Sequence, residues 1–216
     1  MTRYDGRARG LAYALAALAG YVDAFGFMYL GGFFVSFMSG NSTRLAVGAA
    51  HNLAEARIAF GLIAGFVGGV VIGSLTGSLA RARRQTAVLL LVSGLLAAAA
   101  ILGGLGLPGT ALALVLAMGA ENAVFEHEGE VRIGLTYMTG TLVKCGQRIA
   151  AALRGGDKFG WLPFLSMWLS LLCGAVAGAA IFPRLGLSGL WIAAAVALVS
   201  ALFAAAFLRD EGLISR

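Results

Sequence analysis

The sequence predicts an all-α membrane protein with six transmembrane helices plus two re-entrant or broken-helix segments, arranged as a 3+3 inverted repeat. Three observations predict it. The 216-residue chain is 60% hydrophobic and 12% charged, with a mean hydropathy of +0.89, far too little polar material to coat a soluble globule. Apolar runs near residues 10–30, 57–80, 86–106, 108–125, 160–181 and 187–208 approach or exceed the roughly 20 residues that cross about 30 Å of hydrocarbon as a helix. The chain also repeats itself: Phe37-Met38-Ser39-Gly40-Asn41-Ser42-Thr43-Arg44 returns 100 positions later as Tyr137-Met138-Thr139-Gly140-Thr141-Leu142-Val143-Lys144.

The first repeat covers residues 1–106. Its opening run follows Arg3, Arg7 and Arg9, but it continues to Leu30 with further spans behind it, so it reads as a first span and not as a cleaved secretory signal. Near its end stands Gly20-Tyr21-Val22-Asp23-Ala24, matched in the second repeat by Gly119-Ala120-Glu121-Asn122-Ala123. Residues 36–50 carry the polar motif and form the first re-entrant piece. The run at 57–80 holds Gly61, Gly65, Gly69, Gly73 and Gly77 at four-residue spacing, a ladder that lets another backbone approach closely. Its last four members match Ser166, Ser170, Gly174 and Gly178 at an offset of 101. Mutual contact of the two ladders is the preferred packing, with a homodimer interface as the alternative. The second repeat, residues 107–216, repeats the order with its re-entrant piece at 133–153, and the whole is one integrated membrane domain. Continuous Ala/Leu/Val/Gly runs, without ten-residue alternation, exclude an outer-membrane barrel.

Charge sets the orientation. If 36–50 and 133–153 both cross, Arg81, Arg83 and Arg84 land outside, against the positive-inside rule. If both enter and leave on one side, Arg3, Arg7, Arg9, Arg81, Arg83, Arg84, Arg132, Lys144, Arg148, Arg154, Lys158, Arg209 and Arg216 face the cytoplasm, and only Arg44, Arg57 and Arg184 do not. Both termini are then cytoplasmic. Each half contributes three crossings, an odd count, so the second half is inserted upside down relative to the first and the two motifs dip in from opposite faces to meet near the midplane. Irregular backbone at that depth requires protein or a water-filled cavity around it, so a cavity is expected there.

The motifs are the candidate substrate site. Ser39, Gly40, Asn41, Ser42 and Thr43, with Thr139, Gly140 and Thr141, read as a break followed by a helix start, aiming free N–H groups and a partial positive charge inward. Arg44 and Lys144 follow each Gly by four residues, about one turn, so cations reinforce both dipoles and the sum attracts an anion. A plainer reading has both cations reaching for opposite interfaces. The roles of Asp23, Glu121 and Asn122 stay open: Asp23 and Glu121 either pair with Arg44 and Lys144 or titrate in proton coupling, or else Asp23 and Asn122 hydrogen-bond backbone groups freed at the breaks. Glu121 near the cytoplasmic interface would be merely solvated.

Other chemistry is not indicated. Cys145 and Cys173 sit in apolar segments and give no disulfide framework. His51 and His127 fall in different loops, and Glu126-His127-Glu128-Gly129-Glu130 lacks helical metal-ligand spacing, so no metal is expected and the stretch reads as a solvated acidic loop. The net charge of +6 is scattered between spans without an aromatic platform, which argues against nucleic acid. No nucleophile–base pair is visible, and no cofactor or enzymatic activity is expected.

Gly20-Tyr21-Val22-Asp23-Ala24, Leu30-Gly31-Gly32-Phe33 and Ser36-Phe37-Met38-Ser39-Gly40-Asn41 together resemble the YoaK family of bacterial inner-membrane proteins, and the resemblance spans nearly the whole chain. It implies a polytopic bacterial membrane protein with no established substrate. Two positions depart from the family pattern: Ser39 stands where Thr is usual, and Arg44 where an uncharged residue is usual. The expected function is therefore an inner-membrane transporter or channel for a small solute, an anion by preference, partnered by the lipid bilayer and that solute. The alternatives are a proton- or cation-coupled carrier of a neutral or cationic molecule working through Asp23 and Glu121, and an accessory or enzyme subunit.

Overall fold

A computed structural model describes residues 6–127, 130–131 and 133–208. Arg3, Arg132, Arg209 and Arg216 of the charge argument, and Glu128 and Gly129 of the acidic stretch, lie outside the described residues. Among the described residues eight α-helices follow in order: α1 (Gly6–Tyr29), α2 (Met38–His51), α3 (Leu53–Ala80), α4 (Arg84–Gly104), α5 (Thr110–Glu121), α6 (Met138–Leu153), α7 (Leu162–Leu185) and α8 (Leu190–Phe207). Between α5 and α6 a short antiparallel ladder joins β1 (Glu126–His127) to β2 (Glu130–Val131), so the helical architecture carries one small hairpin.

Among the described residues three stretches are long and apolar enough to cross a membrane: Gly6–Tyr29, Leu53–Gly104 and Leu162–Phe207. The last two are each divided by a 3-10 turn, at Arg81–Arg83 and at Gly186–Gly189. Arg81 takes φ 49° and Gly186 φ 53°, a left-handed backbone that cannot continue a helix. The run near 108–125 differs from expectation. It is helical only over Thr110–Glu121, 12 residues and about 18 Å, and beyond it the N–H groups of Asn122, Ala123 and Val124 bond carbonyls three residues back.

Contacts give the relative directions. Gly174 abuts the Ala17 carbonyl and Gly178 the Tyr21 carbonyl, so α7 runs parallel to α1. Gly69 abuts Leu116 and Gly73 abuts Ala120, so α3 runs parallel to α5. Tyr21 donates to the Gly189 carbonyl at 2.9 Å while Arg7 lies over the Phe207 ring, so α8 is antiparallel to α1. Ser93 donates to the Ala194 carbonyl and Gly103 packs on Leu187, which makes α4 antiparallel to α8.

The glycine ladders therefore do not meet each other. Each beds into the first helix of the other half, and a Cβ at Gly20, Gly69, Gly119 or Gly174 would strike backbone. Close helix approach through small residues is what the ladders supply, but across the repeat. The two crossings are offset by one turn: Gly20 meets Leu171, whose repeat counterpart is Val70, whereas Gly119 meets the Phe66 carbonyl four residues earlier. Gly61, the unmatched rung, has nothing within 4 Å of its missing Cβ. The core sits where α1, α4, α5 and α8 converge, with Leu15, Phe25, Leu89, Leu96, Leu114, Met118 and Leu190 fully buried.

Candidate functional site

The first break follows from local chemistry. After α1 the chain turns through Gly31 (φ 64°) and Gly32 (φ 96°), with the Gly32 N–H bonded to the Phe27 carbonyl at 2.8 Å. It then runs back toward the body of α1. There one oxygen of Asp23, Oδ1, accepts from the N–H groups of Val35 and Ser36, both at 2.8 Å. Asn41, fully buried, closes the loop from the other side: its Oδ1 accepts from the Phe34 N–H at 3.0 Å and its Nδ2 donates to the Phe34 carbonyl at 2.7 Å. The returning backbone thus finds side-chain partners that a helix would have supplied internally. α2 starts immediately after, at Met38.

The second break uses the matching positions with weaker ties. Thr136 donates its hydroxyl to Asn122 Oδ1 at 3.2 Å, and Asn122 Nδ2 donates to the Met118 carbonyl at 2.9 Å. α6 starts at Met138.

Both starts open onto one cavity of about 300 Å³, lined by Ser36, Phe37, Met38 and Ser39 from the first half, Thr136, Tyr137, Met138, Thr139 and Gly140 from the second, and Phe66 from α3. Neither α2 nor α6 carries a side-chain cap at its N-terminus. Of the first-turn N–H groups, those of Met38 and Gly40 bond the Ser36 and Phe37 carbonyls and that of Met138 bonds the Thr136 carbonyl, which leaves the Ser39, Thr139 and Gly140 N–H groups at the cavity wall without a backbone partner among the described residues.

Of the ten residues the sequence nominates for substrate, Ser39, Thr139 and Gly140 line this cavity. The hydroxyls of Ser42, Thr43 and Thr141 bond the carbonyls of Met38, Ser39 and Tyr137 one turn back on their own helices. Asn41 is occupied with Phe34, and a Cβ on Gly40 would press on Phe37 and Phe34. The Arg44 guanidinium lies over the Phe33 ring, 4.4 Å from its centroid, and Lys144 is exposed. Neither cation lines the cavity.

The polar candidates separate as well. Asp23 and Asn122 serve backbone and hydroxyl groups at the breaks, whereas Glu121 is 0% exposed and neither carboxyl oxygen has a hydrogen-bond partner. A solvated position for Glu121 is thus overturned by the packing of α5. Glu126 is not a free loop acid either. Ser74 donates to its Oε2 at 2.6 Å, and Arg84 Nη1 stands 3.3 Å from the same oxygen without hydrogen-bond geometry, an ion pair held by charge alone.

The sequence nominations omit seven lining residues. Ser36 and Thr136 keep the 100-residue offset one position ahead of the repeat, and Phe37, Met38, Tyr137 and Met138 lie within it, so periodicity marks all six. Phe66 carries no such signal, because only helix packing brings it in.

Comparison with known proteins agrees with this membrane-type architecture. Residues 11–203 match the family described as protein of unknown function (DUF1275). The chain is 39% identical over 203 residues to UPF0700 transmembrane protein RA0705 of Rhizobium meliloti (strain 1021), covering 91% of this chain and 85% of that protein. No solved structure matches. Among the described residues three stretches are long and apolar enough to cross a membrane, this relative is named a transmembrane protein, and the chain itself belongs to the DUF1275 family.

Proposed function

We propose that the protein is a transporter or channel for a small anion, bound where the N-termini of α2 and α6 converge. The observation that carries this reading is the shared cavity with two uncapped helix starts in its wall. Each start offers the positive end of a helix dipole, with the N–H of Ser39 in one and those of Thr139 and Gly140 in the other free of backbone partners, and two such ends aimed at one space favour a negative charge. Selectivity rests on backbone N–H groups and the Ser39 and Thr139 hydroxyls, with Arg44 acting through Phe33 on the shape of the first elbow.

The same reading takes the halves as an inverted repeat of three spans and one re-entrant helix each. The parallel pairs α1–α7 and α3–α5, together with antiparallel α4–α8, support it, since an exchange of halves through a twofold axis maps each pair onto the other or onto itself. The halves then rock about the cavity to expose it alternately. Charge distribution supports a bacterial inner membrane with both termini cytoplasmic, and the YoaK resemblance belongs to the same reading.

The test is anion flux into proteoliposomes by Ser39→Asp and Thr139→Asp variants. A carboxylate in the first turn suits a helix dipole, so the fold survives while a tethered negative charge occupies the site. The expected result is loss of chloride and nitrate flux in either variant with flux retained in Arg44→Gln. Undiminished anion flux in both Asp variants would sink the anion site, and cation flux gained or unchanged would favour a cation pathway instead.

A further inference from the structure

Glu121 is the one buried carboxyl among the described residues with both oxygens unpartnered. A charged group taken from water without a partner is costly, so a carboxyl in this place calls for an explanation. Such a residue persists for a structural reason or for a functional one. The chain contains its own control for the structural reason: at the matching position of the first repeat stands Val22, also 0% exposed. The architecture thus accommodates an aliphatic side chain at this register, and a carboxyl that bonds nothing adds nothing to its packing.

Its position ties it to the cavity. Glu121 is the last residue of α5, at the break. Asn122, the next residue, accepts from the hydroxyl of Thr136, and Thr136 lines the cavity wall. A movement that opens or closes this wall through Thr136 and Asn122 therefore pulls directly on the backbone that encloses Glu121.

The ionisable groups on the neighbouring elements are engaged elsewhere or stand toward the helix ends. α5 packs against α1, α3 and α4. On α1, Tyr13 and Tyr21 donate to the Pro163 and Gly189 carbonyls, Asp23 accepts from Val35 and Ser36, Arg7 lies over Phe207, Arg9 stands near the helix start and Tyr29 is its exposed last residue. Arg84 of α4 faces Glu126, and Glu55 and Arg57 of α3 lie in its first two turns, away from the Gly73 contact with Ala120.

We propose that Glu121 is the proton-carrying group of the transport cycle, binding one proton on one side of the membrane and releasing it on the other, so that a proton moves with each anion. This rests on the anion reading above. A monovalent anion and a proton move together without net charge, so a gradient of one pH unit, acid outside, concentrates the anion about tenfold inside at equilibrium.

Two measurements on the full-length protein separate the inference from the reading it rests on. Infrared difference spectra of purified protein between acid and alkaline pH are expected to show the carbonyl stretch of a protonated carboxyl that Glu121→Gln and Glu121→Val both remove. Absence of that difference overturns the proposal. In proteoliposomes, wild type is expected to accumulate nitrate about tenfold per pH unit, while Glu121→Val, which copies the Val22 register, equilibrates nitrate without accumulation. Accumulation by Glu121→Val equal to wild type overturns the proposal too. If wild type moves neither nitrate nor chloride, the anion reading falls, and the infrared band alone decides whether Glu121 is a proton site.

Discussion

At the first elbow Asp23 holds two backbone N–H groups, Asn41 closes both polar groups of Phe34, and Arg44 lies on Phe33. At the second, the tie among the described residues is a single hydroxyl from Thr136 to Asn122, while Thr141 turns back to its own helix and Lys144 is exposed. Among the described residues, polar ties are thus more numerous in the first copy than in the second. Local stability is not uniform within a fold, and moving elements come from its weaker parts. On the transport reading proposed above, the contrast points to the second elbow as the part that moves and to the first as the surface it moves against.

The sharpest way to break that contrast is to remove the matched polar residues. Asp23→Ala leaves the Val35 and Ser36 N–H groups without their partner, at a cost of about 1–3 kcal/mol each if no water replaces it. Asn122→Ala removes one hydroxyl tie and one bond within its own turn, and about 1 kcal/mol is expected. Thermal unfolding in detergent, followed by a thiol-reactive dye at buried Cys145 after replacing exposed Cys173 by Ser, reads both. Equal loss in the two variants would mean that the elbows are held equally and the asymmetry carries no mechanical meaning.

Much of this arrangement was legible in the chain. The 100-residue repeat points to two elbows, and the structure brings both to one cavity, since residues 36–39 and 136–140 share its wall. The role of side chains within each elbow was not legible. Arg44 and Lys144 keep their register, yet a cation's direction depends on whether an aromatic ring such as Phe33 stands beside it, which no spacing reveals. The ladders were legible as packing surfaces, but not their partners, because a row of small residues specifies how near a helix comes and not which helix. Glu121 was marked by its type alone, and its isolation depends on burial by α5 packing against α3 and α4.

The smallest effect discriminates by sign. Gly40 and Gly140 occupy the same place in the two motifs, in the first turns of α2 and α6. A Cβ added at Gly40 would come within 2.6 Å of the Phe37 ring and 3.1 Å of Phe34, whereas at Gly140 it meets nothing within 4 Å. Alanine gains up to about 1 kcal/mol over glycine in a helix by restricting the unfolded chain, less in a first turn. At Gly40 that gain is opposed by overpacking of about 1–3 kcal/mol, so Gly40→Ala is expected to lower the unfolding temperature. Gly140→Ala is expected to raise it by a degree or a few, on the order of the few tenths of a kcal/mol left to the helix start. It should also slow any motion of α6 that needs a flexible first turn, read as reduced flux at unchanged selectivity. A lowered unfolding temperature in both would show that the open space beside Gly140 is filled in the working protein, and that the second elbow is as closely held as the first.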